Sequence, residues 1–232
     1  MSDNDFIVDV RDVKKNYRQG KLDVADLRGL SLSIKKGEFT AICGPSGSGK
    51  TTLLNLIGAL DKPTSGSVVL EGKDLSTLGG QELSEIRRDR IGFVFQAYNL
   101  MPVLTAYENA EIVMWVQGVE HEKRQERVSK LLAEVGLEGM EDRLPSELSG
   151  GQQQRVAIAR AIASNPAVVL ADEPTANVDS ETADTLLDIM EKLNREHGVT
   201  FLFSTHDPKV MDRARRLVRL VDGKVAKDEV RN

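Results

Sequence analysis

One glycine-rich segment of the sequence has the composition and spacing of a phosphate-binding loop. It reads Gly44-Pro45-Ser46-Gly47-Ser48-Gly49-Lys50-Thr51 and fits the pattern G-x-x-x-x-G-K-[ST]. Glycines let backbone amides approach phosphates, a following helix adds its positive dipole, Lys50 supplies a mobile charge, and the Thr51 hydroxyl can bind Mg²⁺. The predicted nucleotide-binding residues are Gly44, Ser46, Gly47, Ser48, Gly49, Lys50, Thr51 and Thr52. The motif alone leaves kinase, GTPase and ATPase functions open.

Two adjacent carboxylates, Asp172 and Glu173, follow the apolar residues 167–171. A parallel strand over 167–171 would deliver both side chains to the sheet edge at which ligands bind. We expect Asp172 to hold Mg²⁺, directly or through water, and Glu173 to polarise a water molecule aimed at the γ-phosphate. Such a pair can also serve as a helix cap or loop entry, but the upstream phosphate loop favours the catalytic interpretation.

Strands and helices alternate along the chain around these motifs. Residues 6–10 and 30–34 alternate apolar and polar side chains as half-buried strands do, whereas Phe39–Cys43 has the pattern of a strand buried on both faces. Further predicted strands are residues 68–70, Ile91–Phe95, 167–171, Thr200–Ser204 and 217–221. Predicted helices follow the loop, with Leu53, Leu54, Leu56, Ile57 and Leu60 facing inward, and fill most of residues 96–164. The pattern predicts an α/β fold with a mainly parallel sheet and a helical insertion.

The composition favours one globular domain without nucleic-acid binding. The 232 residues carry a net charge of −5, whereas proteins that neutralise nucleic-acid phosphates are usually basic. Arginines do cluster near the C-terminus, at Arg213, Arg215, Arg216 and Arg219, where we expect a solvated helix face. Only the ends, residues 1–5 and 227–232, have a polar composition typical of unstructured chain.

The compartment is indicated by cysteine usage and by hydropathy. Cys43 is the single cysteine, so no intrachain disulfide forms, which fits a reducing compartment. We expect Cys43 to be a small buried residue; whether it is redox-sensitive stays open at this point. The first residues do not resemble a signal peptide, and no apolar run approaches the ~20 residues that cross a bilayer. A membrane path, if the protein serves one, belongs to another chain.

A pentapeptide, Leu148-Ser149-Gly150-Gly151-Gln152, precedes a predicted helix over residues 153–164. A serine and two glycines at a helix start expose amides and a hydroxyl, which makes a second anion site. With this segment the chain resembles the ATP-binding-cassette (ABC) ATPases, whose signature it matches. The resemblance implies that two cassettes pair head to tail and that Ser149, Gly150, Gly151 and Gln152 of one copy contact the γ-phosphate on the other copy's loop.

Four further positions match the family singly. Tyr17 stands at the place of the aromatic residue that stacks on adenine, and Gln96, after Ile91–Phe95, at that of a glutamine that contacts Mg²⁺. His206 resembles the switch histidine that bonds the γ-phosphate, and Asp179 lies in the loop that crosses the dimer interface. That loop reads Ala176-Asn177-Val178-Asp179, where the family more commonly has glycine or serine at the first position and leucine at the third. We expect an active ATPase in which Glu173, His206, Lys50 and Gln96 act catalytically.

The resemblance covers essentially the whole chain and implies the fold and its cofactors. It implies a P-loop, RecA-like fold with an N-terminal antiparallel β subdomain and an inserted helical subdomain. The expected boundaries are a single domain, 1–232, with residues 1–95 and 165–232 forming the core and 96–164 the helical part. ATP and Mg²⁺ are the expected cofactors, with Thr51, Gln96 and Asp172 near the metal.

Three stretches are similar to the lipoprotein-releasing and macrolide-exporter cassettes: residues 94–102, 144–148 and 204–208. This similarity implies a homodimer that drives a separate integral membrane permease, located peripherally at the cytoplasmic face of the inner membrane. The alternatives are a cassette that regulates a cell-envelope process at division and a soluble, non-transport ABC ATPase. Substrate, direction of transport and the permease stay open.

An apolar cluster follows Gln96, comprising Tyr98, Leu100, Met101, Val103 and Leu104. It can line a groove that receives a helix of the membrane partner, or it can form the core of the helical part. The sequence favours neither.

Overall fold

The computed structural model describes residues 6–19 and 22–231. Its strands are β1 (Phe6–Gln19), β2 (Leu22–Lys35), β3 (Phe39–Cys43), β4 (Ser65–Leu70), β5 (Lys73–Asp74), β6 (Ile91–Phe95), β7 (Val168–Asp172), β8 (Thr200–Ser204), β9 (Arg216–Val221) and β10 (Lys224–Val230). Its α-helices are α1 (Lys50–Ile57), α2 (Gly80–Arg90), α3 (Ala106–Val116), α4 (His121–Glu134), α5 (Gly150–Ala163), α6 (Ser180–His197) and α7 (Pro208–Arg213). Short 3-10 helices lie at Leu75–Thr77 and Pro145–Glu147.

These strands form two sheets. The first is antiparallel with the order β2-β1-β4-β5, and the second has the order β10-β9-β3-β8-β7-β6. Within the second sheet every pair from β9 to β6 is parallel, and only β10 runs antiparallel, beside β9. Helices α3, α4 and α5 come between β6 and β7, which are neighbours in the sheet.

The central strands are apolar because both faces of the sheet are covered. On one face Phe39, Phe201 and Phe203 pack against α5 and α6, and on the other Ile42 and Leu202 pack against α1 and the first sheet. Successive side chains of a strand point to opposite faces, so a strand with helices on both sides needs apolar residues throughout. This packing makes the carboxyl ends of β3, β7 and β8 a rigid edge from which loops can present side chains.

Several elements differ from the sequence expectations. Strands β1 and β2 are longer than residues 6–10 and 30–34, because register shifts, such as the one between Val10 and Val13, interrupt the alternation while pairing continues. Helix α1 ends at Ile57, and Gly58 follows, so Leu60 lies outside the helix and is half-exposed. The loop 96–105 is not helical, because buried Asn109 holds the backbone of Met101, Leu104 and Thr105 by hydrogen bonds.

The C-terminal expectations are also corrected. Residues 227–230, expected to be unstructured, belong to edge strand β10, where charged side chains can face solvent without disturbing the pairing with β9. The expected arginine face of a helix is wrong: Arg213 ends α7, whereas Arg216 and Arg219 lie in β9. Arg216 there donates hydrogen bonds to Glu38 and Asp228. The polar residues 1–5 and residue 232 lie outside the described residues.

Candidate functional site

The phosphate-loop segment connects β3 to α1 and is shaped by its glycines. Gly47 and Gly49 have φ angles of 75° and 95°, which side chains rarely adopt. A Cβ atom at Gly44 would lie 2.2 Å from the Leu220 carbonyl oxygen, so a larger residue cannot occupy this position. The Lys50 ammonium donates hydrogen bonds to the carbonyl oxygens of Gly44 at 2.9 Å and Pro45 at 3.0 Å. The loop therefore curls around the lysine head group at the start of α1.

An open cleft of about 570 Å³ lies over this loop. Its lining brings together Asp26, Gly44, Pro45, Ser46, Gly47, Gly49, Lys50, Thr51, Thr52, Glu173, Ser204 and His206. Ser48 is buried beneath the loop, and its hydroxyl has no hydrogen-bond partner among the described residues. Tyr17 borders the cleft: its hydroxyl donates to Asp61 at 2.9 Å, and burial and neighbouring carboxylates raise its pKa despite the contact with Thr52. The phosphate loop, Glu173 and His206 thus face one cavity, and Tyr17 lies beside the lining residue Thr52.

The Asp172 side chain ends β7 beside the first turn of α1. Its Oδ2 accepts a hydrogen bond from the Thr51 hydroxyl at 3.5 Å. Burial, with the neighbouring Glu173 charge, raises the pKa of Asp172 despite the nearby hydroxyls of Ser204 and Thr51 and the charge of Lys50. A carboxylate and a hydroxyl are hard oxygen donors that suit Mg²⁺. Within residues 6–19 and 22–231, no group of three His, Cys, Asp or Glu side chains could hold a metal unaided. A metal here would need phosphate or water ligands as well.

Glu173 is held by two residues that follow strand β8. Its Oε1 lies 2.6 Å from Nδ1 of His206, and its Oε2 accepts a hydrogen bond from the Thr205 hydroxyl at 3.2 Å. His206 is otherwise three-quarters exposed, at 75%, so it stands at the cleft surface. Sequence reasoning predicted Glu173 and His206 but missed Thr205, whose position directly before the histidine was the available signal. The cleft therefore contains an oriented carboxylate next to a histidine.

The segment 149–152 forms the N-terminus of α5. Ser149 is its N-cap: the hydroxyl accepts from Gln152 N at 3.3 Å, and Ser149 N donates to Gln152 Oε1 at 2.9 Å. Gly150 and Gly151 occupy the first turn, so the helix begins earlier than the predicted residue 153. In the part of the chain that the structure describes, none of residues 149–152 lines the Lys50 cleft. The two predicted anion-binding helix starts are therefore separate within one copy.

Gln96 and Asp179 lie in two loops that touch each other. The Gln96 carbonyl oxygen accepts from Asn177 Nδ2 at 2.9 Å, and Gln96 Nε2 donates to Asn177 Oδ1 at 3.4 Å. Asp179 caps helix α6, and its hydrogen bond from the Thr182 hydroxyl lowers the pKa of its carboxyl. Sequence reasoning included Asn177 only as a member of the loop that contains Asp179 and predicted no role for it. Its bridging contacts required the folded structure.

Cys43 is buried at the end of β3, and burial raises the pKa of its thiol despite the nearby Arg219, Arg231 and Lys50 charges. A buried thiol that stays protonated is a poor nucleophile and a poor redox sensor. This environment supports the structural interpretation of Cys43. Among the described residues, no helix has the length and apolar character required to span a bilayer.

Comparison with known proteins gives consistent relatives. The family model described as "ABC transporter" matches residues 27–176. The lipoprotein-releasing system ATP-binding protein LolD of Anaeromyxobacter dehalogenans is 47% identical over 222 residues, which cover 95% of this chain and 93% of LolD. The macrolide export ATP-binding/permease protein MacB of Syntrophobacter fumaroxidans is 47% identical over 94% of this chain, but the match spans only 31% of that longer protein.

A solved structure supports the same assignment. The post-hydrolysis dimer of the ATP-binding cassette MJ0796, bound to ADP and Pi, matches with a TM-score of 0.88 and 44% identity, covering 97% of this chain and 99% of that one. The uncharacterized protein of the same designation comes from Methanocaldococcus jannaschii and is 45% identical. These matches confirm the expected family and the expected α/β cassette fold. The chain belongs to the ABC transporter family and is an ATP-binding cassette that hydrolyses ATP.

Proposed function

We propose that two copies of this chain bind ATP between them and that opening and closing of this dimer drives a separate membrane permease. The observation that carries the proposal is the separation of the two helix starts: Lys50 lies in the cleft, and Ser149 does not. A second copy arranged head to tail would bring its Ser149 to the nucleotide on the first. The dimeric structures of the archaeal relative support this arrangement.

Within each copy the cleft residues divide into binding and chemical roles. The loop amides and Lys50 bind the phosphates, and Tyr17 at the rim stacks on adenine. Thr51, Asp172 and Gln96 would hold Mg²⁺, which would supply charge neutralisation for the transferring phosphoryl group. Glu173, fixed by Thr205 and His206, orients the attacking water and accepts its proton.

The proposed permease contact is an apolar groove of about 410 Å³ beside edge strand β6. Its lining includes Phe93, Phe95, Ile112, Val113 and Val116, and it is rimmed by Arg87, Arg88 and Arg160. Its shape and chemistry suit a short amphipathic helix that carries an acidic residue.

The apolar cluster predicted after Gln96 does not line this groove. Leu100 packs partly against the core, whereas Met101 and Val103 are exposed, at 49% and 81%. Some residues of this cluster are therefore packed against the core and others are exposed to solvent. Neither the groove interpretation nor the core interpretation describes all five residues.

We propose a substrate class of lipoproteins, lipids, peptides or macrolides, exported or extracted from the membrane. The relatives' names, which mention lipoprotein release and macrolide export, support the lipoprotein and macrolide members of this class. A permease partner would hold the cassette peripherally at the cytoplasmic face of the inner membrane.

Complementation between inactive copies tests the dimer. Lys50→Ala on one copy removes the phosphate contact of a site, and Ser149→Arg on the second copy fills the helix start that would complete that same site. Each variant alone should be inactive as an ATPase. Mixed copies can assemble one intact site from Lys50 of one chain and Ser149 of the other, so mixing should restore activity. If a mixture of the two folded, inactive variants stays inactive at every ratio, the proposal of a site shared between two copies is wrong.

Permease docking is tested by a charge introduced into the groove. Val113→Glu should keep the ATPase activity of the isolated cassette. It should abolish co-purification of the membrane protein that the parent cassette recovers from detergent extracts. Val230→Glu is the matched control, because Val230 is exposed on β10 at the opposite edge of the same sheet. Equal recovery of the membrane protein with both variants would exclude the groove as the docking site. Identification of the recovered protein distinguishes a transporter from an envelope regulator.

A further inference from the structure

Three hydrogen bonds tie the loop that follows β6 to the loop that precedes α6. Asn177 Nδ2 donates to the Gln96 carbonyl oxygen at 2.9 Å, and Gln96 Nε2 donates back to Asn177 Oδ1 at 3.4 Å. The Tyr98 hydroxyl donates to the Asn177 carbonyl oxygen at 3.0 Å. The bonded residue pairs are 81 and 79 positions apart in the chain, and two of the three bonds join a side chain to the backbone of the other loop.

Tyr98 is held in an unusual backbone conformation. Tyr98 and Asn99 have φ angles of 58° and 50°, in the left-handed region that non-glycine residues disfavour. Arg160, on α5, donates to the carbonyl oxygens of both residues, at 2.9 and 2.5 Å. Strain of this kind persists only where the surroundings enforce it, and it is common at functional positions. The turn is therefore fixed to α5, the helix whose start is Ser149.

The first turn of α5 packs against the loop that follows β6 and against the first turn of α6. A Cβ atom at Gly150 would lie 2.7 Å from the Tyr98 hydroxyl oxygen, and one at Gly151 would lie 2.3 Å from Cγ2 of Thr182. Thr182 in turn donates its hydroxyl to Asp179 at 2.6 Å. The two glycines therefore permit contacts within the chain, in addition to any contact with a nucleotide.

We infer that Tyr98 and Asn177 are positioning residues that hold the start of α5, and with it Ser149, in place against the Gln96 and Asp179 loops. The inference rests on the proposed dimer, in which Gln96 serves the copy's own nucleotide and Ser149 the partner's. Neither residue lines the Lys50 cleft, so their effect on ATP must pass through the loops they join.

The contacts themselves are tested without nucleotide by hydrogen exchange. Tyr98→Phe removes one hydroxyl, and Asn177→Ala removes both bonds to Gln96. Amides of residues 97–100 and 176–179 should exchange faster in each variant, by about fivefold for the loss of one such bond. Tyr107→Phe is the matched control, since Tyr107 lies in α3 within the same helical region. Exchange identical to the parent protein would overturn the inference.

The functional consequence is measured in the Glu173→Gln background, in which the ATP-bound dimer accumulates. Adding Tyr98→Phe should weaken the dimer about fivefold in sedimentation equilibrium. In the otherwise unmodified chain Tyr98→Phe should lower kcat by a similar factor and leave ATP binding to the monomer unchanged. If the parent variant fails to dimerise, the proposed function is wrong; if it dimerises and Tyr98→Phe changes neither dimer affinity nor kcat, this inference is wrong.

A suppressor pair supplies an independent check. Gly150→Ala should lower Tm, because its methyl group would lie too close to the Tyr98 hydroxyl oxygen. The Tyr98 ring carbon Cζ is 3.6 Å from the methyl position, so a phenylalanine ring leaves room for it. Tyr98→Phe combined with Gly150→Ala should therefore recover most of the lost Tm. Additive losses in the double variant would contradict the packing on which the inference depends.

Discussion

Oε1 of Glu173 and Nδ1 of His206 lie 2.6 Å apart, although 33 positions separate the two residues in the chain. The Thr205 hydroxyl donates to the second carboxylate oxygen, so both oxygens of Glu173 have polar partners within the chain. Parallel neighbours β7 and β8 end at the same sheet edge, which accounts for the encounter. The carboxylate proposed as the general base is thus oriented by the fold.

Glu173→Gln should abolish most hydrolysis while preserving the site. The amide can keep hydrogen bonds to Thr205 and His206, but it cannot accept a proton from water. We expect kcat to fall by at least about 100-fold, the lower range for loss of a general base, with ATP still bound. Single-turnover hydrolysis and size-exclusion with light scattering measure the two effects. Turnover at the normal rate would disprove the assignment of the base.

His206→Ala should lower kcat about 10- to 100-fold, because it frees one oxygen of Glu173 and removes a polar contact from the cleft. His121→Ala is the control, since His121 is exposed at the start of α4. Steady-state ATPase assays at saturating ATP separate the two variants. A His206→Ala enzyme as active as the control would mean that Glu173 needs no second partner.

Asp172→Asn should stabilise the nucleotide-free chain. The pKa of Asp172 is raised from the usual 3.8, chiefly by burial, so the charged carboxylate destabilises the folded state at neutral pH. We expect a gain of about 1 kcal/mol or less after solvent screening, or about 2 to 4 °C in Tm.

The pH dependence of this gain has a defined sign. As pH falls through the raised pKa, the folded protein takes up the proton first, and below 3.8 both states are protonated, so the penalty disappears. The Tm difference between Asp172→Asn and the parent should therefore shrink on acidification. Differential scanning calorimetry from neutral to acid pH tests this, with Asp142→Asn as an exposed control. A difference that grows at low pH would contradict the burial argument.

Asn109→Ala should destabilise the helical region. The fully buried amide accepts from Met101 N and donates to the carbonyl oxygens of Met101, Leu104 and Thr105. Its loss removes the side-chain partner of Met101 N and of the Leu104 carbonyl oxygen, while the Met101 and Thr105 carbonyl oxygens keep their bonds from Leu104 N and Asn109 N; we expect a cost of about 2 to 3 kcal/mol. Urea unfolding measures the change, and Gln81→Ala, exposed on α2, serves as the control. A free energy of unfolding equal to that of the control would show that the loop 101–105 is held by other contacts.

Much of the core could be predicted because its signals are local. Phe39–Cys43, Ile91–Phe95 and Thr200–Ser204 were predicted with the bounds that the structure has, since strands covered on both faces are short apolar runs. Elements whose stability comes from neighbours were misjudged. Strand β10 is highly charged and is defined by its pairing with β9, and the loop 96–105 depends on Asn109, several positions further along the chain.

By itself the sequence determined the phosphate loop, the acidic pair, the signature and hence the family, because glycine conformation, helix starts and strand ends are encoded within a few consecutive residues. Only the tertiary structure decided that Thr205 and His206 hold Glu173, that Asn177 joins Gln96 to the Asp179 loop, and that Tyr98 touches Gly150. Those contacts join segments far apart in the chain. Their geometry follows from sheet order and helix packing, which a local pattern of residues does not specify.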